Sequence, residues 1–151
     1  TMSNYYSDGI EPVSFTADVD LTAWQYRLVS SASTGGSVRK HGGSFSTACP
    51  FPIGVLLNDP SAGQEALVKT FGFAKTAIMV GGCIANPGSW MRSGSNGTAD
   101  PASLIASNVD CIVGRYYGPV VSSTGSFIGQ IFFAPVLPIS GSVLPAASGS
   151  A

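Results

Sequence analysis

The chain is expected to fold as a mainly β protein, a single small barrel or sandwich with one short helix, on three observations. Hydrophobic residues recur with the two-residue period of strands, and turn-forming clusters separate most such stretches. Gly (19) and Pro (10) are too frequent among 151 residues to favour long helices. A chain of this length buries enough apolar surface to fold without metals or disulfide staples.

Composition divides the chain into three parts. Residues 1–19 carry Met2, Tyr5, Tyr6, Ile10, Val13 and Phe15 at irregular spacing and read as an extended arm. Residues 20–136 hold the patterned segments and read as a β-rich core domain. Residues 137–151 form a small-residue tail with two prolines and no charge.

Within the core, Trp24-Gln25-Tyr26-Arg27-Leu28 alternates apolar and polar and predicts a half-buried strand. Ile53 to Leu57 is an apolar run closed by Asn58-Asp59-Pro60-Ser61. Glu65 to Phe71 alternates again, and Thr76 to Val80 stops at Gly81-Gly82. Ser89 to Arg92 is brief and precedes a turn over Ser93 to Gly97; Cys111 to Tyr117 and Phe127 to Ala134 complete the strands. Gly72, Gly81-Gly82 and Gly94 serve turns or bulges, since no phosphate-loop pattern surrounds them. The helix is expected from Asp100 as N-cap and Pro101 at the first helical position, continuing through Ala102 to Ser107. No convincing internal repeat is visible.

Charge narrows the function. Only 10% of residues are charged, and the net charge of −1 argues against nucleic acid, which needs clustered Lys and Arg. Arg39-Lys40-His41, the nearest thing to a basic patch, reads as a solvated loop. Asp8, Glu11, Asp18 and Asp20 place a charge of −4 in the first twenty residues and leave +3 for the rest. No apolar run approaches the ~20 residues of a membrane helix, and the basic-then-apolar layout of a secretory leader is not seen at the N-terminus.

Catalytic material is scarce. His41 is the only histidine, so a Ser-His-Asp or Cys-His site must use it, and it reads as an exposed bystander beside Gly42-Gly43. Cys49, Cys83 and Cys111 are odd in number without CxxC spacing, and read as reduced, buried small hydrophobes. Asp18 and Asp20 read as a solvated acidic edge rather than a cation site. No cofactor or metal is implied. Asn96-Gly97-Thr98 matches a glycosylation sequon but is better explained as an Asn-Gly turn. Trp90-Met91-Arg92 has the composition of a subunit contact, with core packing as the alternative.

The stretch Gly54 to Lys75, then Gly81-Gly82-Cys83-Ile84, Gly88 to Arg92, Ile112-Val113-Gly114-Arg115 and Gly129 to Phe133, resembles phage head decoration (capsid cement) proteins, lambda-type or related. Tyr116 stands where that pattern commonly has a small residue, and Gly35 to Pro52 has no counterpart in it. The resemblance implies a compact barrel or tulip-like core, usually trimeric, seated at local three-fold axes outside an expanded capsid. It implies no enzyme activity, and partners that are the major capsid protein and further copies of the chain. By the same resemblance an N-terminal arm pairs with coat protein, here through Met2, Tyr5, Tyr6, Ile10, Val13 and Phe15, by β-augmentation. The protein would be made in the host cytoplasm and reside on the virion. The alternative is a tail, baseplate or receptor-recognition module that uses Tyr116 and Tyr117.

Overall fold

In the computed structural model, which describes residues 9–42, 51–80, 84–94, 96–101, 112–122 and 125–136, ten strands close into two five-stranded barrels. Barrel 1 is built from β1 (Val13–Ala17), β2 (Leu28–Ser31), β3 (Ser37–Lys40), β4 (Pro52–Leu56) and β5 (Glu65–Lys69). Barrel 2 is built from β6 (Gly72–Met79), β7 (Trp90–Ser93), β8 (Ala99–Pro101), β9 (Ile112–Tyr116) and β10 (Ser126–Val136). The mainly β expectation holds, but two barrels replace the single one. Ala17, Leu21, Val29, Val38, Leu56, Ala66 and Val68 pack together in barrel 1. Ile78, Met91, Val113, Tyr116, Ile131 and Phe133 do so in barrel 2.

The two barrels repeat one topology. Around barrel 1 the order is β1-β3-β2-β4-β5; around barrel 2 it is β6-β8-β7-β9-β10. In each, the first and third strands run parallel and every other pair is antiparallel. The register repeats as well. Leu28↔Val55 and Val29↔Gly54 precede a bulge in barrel 1, and Trp90↔Arg115 and Met91↔Gly114 precede a bulge in barrel 2. Ala17↔Val38 corresponds in the same way to Ile78↔Ala99.

Equivalent positions lie 60 residues apart at Gly54 and Gly114 and 63 apart at Lys69 and Phe132. Ser31/Ser93 and Gly54/Gly114 are the only identities at these paired strand positions, which is why no repeat shows in the sequence. A strand needs alternation and fit to its neighbours rather than particular residues. The shared glycine has a steric cause. A Cβ at Gly54 would meet the Lys69 carbonyl at 2.5 Å, and one at Gly114 would collide with the equivalent Phe132 carbonyl.

A short plug joins the barrels. Trp24 to Leu28, expected as a strand, is a pair of turns in which Trp24 N–H donates to Leu21 C=O and Arg27 N–H to Trp24 C=O, both at 3.0 Å. The strand begins only at Leu28. Tyr26 at φ 67° is the one non-glycine residue with positive φ among the described residues, a conformation that costs about 1–2 kcal/mol. This bend passes Tyr26–Leu28 between β6 and β8. Ala77 N–H donates to Tyr26 C=O and Leu28 N–H to Gly97 C=O, both at 2.7 Å. Leu28 and its partner Val55 thereby join the apolar cluster of barrel 2. In barrel 1 the equivalent groups, Thr16 N–H and Gly36 C=O, bond each other directly at 2.9 Å.

Other boundaries move. Asp100 and Pro101, expected at a helix start, lie in β8, where Arg92 pairs with Asp100; residues 102–107 are outside the described residues. No helix occurs among the described residues. Of the expected arm, residues 1–8 are outside the described residues, whereas Val13–Ala17 form β1 within barrel 1. Arg39 and Lys40 lie in β3 rather than a loop. Cys49, Cys83, Cys111 and the tail at 137–151 are outside the described residues.

Candidate interaction surfaces

The chemistry that His41 can perform is set by its surroundings. The side chain is fully buried rather than exposed, and its Nδ1 lies 2.8 Å from the Ser30 hydroxyl, itself 1% exposed. The pair ties β2 to the end of β3. Asp18 and Asp20 are exposed, and Asp20 accepts the Thr22 N–H at 3.1 Å as a local turn cap. Among the described residues no group of three His, Cys, Asp or Glu is placed to hold a metal.

The surface is more informative. One register row crosses four strands of barrel 2: Phe73 on β6, Phe132 on β10, Arg115 on β9 and Trp90 on β7. The Phe73 and Phe132 rings meet edge to face at 4.9 Å, and the Arg115 guanidinium lies 4.1 Å from the Trp90 ring centroid. Phe71 and Tyr117 extend the row, each edge to face with a neighbouring ring. Phe71 (48%), Tyr117 (42%) and Trp90 (38%) remain substantially exposed. Arginine and aromatics gathered on one face have the composition of a protein-binding surface.

Of Trp90-Met91-Arg92, expected together as a subunit contact, only Trp90 stands exposed. Met91 is fully buried in the core of barrel 2, because adjacent strand residues point to opposite faces, and Arg92 is half-buried. Arg115 was missed since only strand register brings it to Trp90. A signal was present at Phe71, just before β6, and Phe73 on it, which share a parity opposite to Ala74 and Ile78.

Tyr116, expected as an exposed contact, is also core. It is fully buried, and its hydroxyl donates to Pro119 C=O at 2.6 Å. Burial pushes its pKa above the ordinary value. Tyr117, one position on, faces out.

Of the residues expected to bind coat protein, Ile10 and Val13 are exposed, and Lys69 Nζ donates to Ile10 C=O at 2.7 Å. Phe15 is half-buried against the barrel 1 core. Met2, Tyr5 and Tyr6 are outside the described residues.

Fold and surface together define a tandem β-barrel protein with an aromatic–arginine face. No known protein family matches the chain, and no curated protein does. Among solved structures it is similar to the crystal structure of the head fiber gp8.5 N base in bacteriophage phi29, with a TM-score of 0.53 and 13% sequence identity. The likeness covers 82% of this chain and 92% of that one, more than either barrel alone can supply. It is a likeness of fold.

Proposed function

We propose that the chain is a structural phage head protein that decorates the outside of a capsid and stabilises its lattice as a homotrimer. The observation that carries this reading is the fold shared with a head fiber base across both barrels. The sequence resemblance to capsid cement proteins supports the same role. A structural rather than enzymatic task fits a lone histidine sealed against Ser30.

The coat contact is assigned to the N-terminal segment. It carries Met2, Tyr5 and Tyr6 as apolar anchors and Asp8 and Glu11 for basic coat residues, and it leads into β1 beside the exposed Ile10 and Val13. Backbone pairing with a coat strand would add affinity without a deep pocket.

Deleting residues 1–8 tests this while leaving β1 whole. The truncated protein is expected to melt as the full chain does but to lose most of its affinity for capsids in co-sedimentation. Full affinity after deletion would move the contact to the barrels. Full-length protein that ignores capsids altogether would end the head-protein reading.

A further inference from the structure

We infer that Gly88–Trp90, with Arg115, is a docking plug for barrel 1 of a second copy of this chain. The inference deepens the self-assembly contained in the proposed role, and rests on that reading for its place in a head protein. Its support is the repeat of the intrachain junction.

Each barrel carries the same plug. In barrel 1, Tyr26 N–H donates to Leu56 C=O at 2.6 Å and Leu56 N–H to Arg27 C=O at 2.9 Å. In barrel 2, Gly88 N–H donates to Tyr116 C=O at 2.6 Å and Tyr116 N–H to Ser89 C=O at 2.9 Å. Tyr26 has φ 67° and Gly88 φ 87°, so both turn through the same left-handed bend. The residues presented are the register pairs Leu28–Val55 and Trp90–Arg115.

The first pair is fully buried where barrel 1 enters barrel 2. The second stands exposed, and neither barrel of the described residues receives it. Its composition has changed to suit a surface that is free before assembly: a tryptophan under an arginine in place of two aliphatics.

The receiving site follows from the same equivalence. Barrel 2 accepts its plug between β6 and β8; the corresponding place is the β1–β3 junction of another copy's barrel 1. At the end of that junction Thr16 N–H donates to Gly36 C=O at 2.9 Å, and Asp18 N–H to Val38 C=O at 2.8 Å follows it. Entry of Gly88–Trp90 would open the Thr16–Gly36 bond and make two, as Tyr26 and Leu28 do with Ala77 and Gly97.

Charge agrees with this placement. β4, which carries Val55, lies against β10, so Arg115 on the equivalent strand would arrive beside β5 of the second copy. There Glu65 is exposed and in register with Thr16, and Asp18 lies just beyond β1. Donor and acceptor surfaces differ, so the contact is heterologous and builds a ring or a chain rather than a two-fold dimer.

Sedimentation velocity on the purified full-length chain tests the contact without capsids. Wild type is expected to self-associate with concentration, and Trp90→Ala to weaken association about 30-fold or more. Arg115→Glu and Glu65→Arg, both at exposed positions, should each be impaired, and an equimolar mixture of the two should regain association. Melting curves of each variant verify the fold, and the charge pair carries the test if Trp90→Ala is unstable. A monomeric wild type, unchanged association in Arg115→Glu, or a mixture that stays dissociated would each overturn the plug. Self-association without capsid binding would support the plug and sink the head-protein role instead.

Discussion

Leu28→Ala is the sharpest test of the junction between the barrels. Leu28 lies on β2 but packs with the core of barrel 2 and is fully buried. Truncation removes three buried carbons, about 2.4 kcal/mol of transfer free energy at ~0.8 kcal/mol each. The two hydrogen-bonded barrels limit collapse into the hole, so a cavity contribution brings the loss to about 3–4 kcal/mol. With a urea m-value of about 2 kcal/mol/M, the midpoint should fall by about 1.5–2 M. The chain's two tryptophans report separately, Trp24 before β2 in barrel 1 and Trp90 on β7 in barrel 2. Followed in Trp90→Phe and Trp24→Phe backgrounds, both midpoints should drop together. A Trp90 midpoint that stays in place while the Trp24 midpoint falls would show that Leu28 serves barrel 1 alone. A loss below about 1 kcal/mol would refute the plug geometry itself.

Two further outcomes follow from single positions. Gly114→Ala should cost about 3 kcal/mol or more and lower Tm by about 10 °C, because φ is 147° and the new Cβ collides with the Phe132 carbonyl; Gly63→Ala, with φ 86° but open space, should cost only about 1 kcal/mol. Equal shifts in calorimetry would remove the steric account. The raised pKa of Tyr116 means the folded chain holds that proton more tightly than the unfolded one does, so its contribution is fully present below pH ~10 and is lost as pH rises through the folded value. Difference absorbance should find one tyrosine ionising late, and Tyr116→Phe should remove that phase; an unchanged titration would contradict the burial.

Local chemistry made much of the strand content legible. Ile53 to Leu57, Glu65 to Phe71, Cys111 to Tyr117 and Phe127 to Ala134 each fall on a strand within a few residues, because a two-residue period and flanking turn formers are properties of neighbours along the chain. The Asn96-Gly97 turn was legible for the same reason, with Gly97 at φ 72° against the Trp24 ring.

Tertiary structure decided the rest. Alternation says that a strand has two faces, but closure says which is buried, and closure depends on pairings between residues far apart in sequence. That is how Tyr116 became core, how His41 was sealed against Ser30, and how Arg115 came to lie on Trp90. It also explains why Trp24–Leu28 has a strand's pattern without being one. Tyr26 is held at φ 67° by bonds to Leu56 of barrel 1 and Ala77 of barrel 2, contacts distant in sequence that the alternation cannot register. The duplication stayed hidden for the same physical reason: its two halves share register, bulge and one sterically required glycine, while most of their side chains adapted to different neighbours.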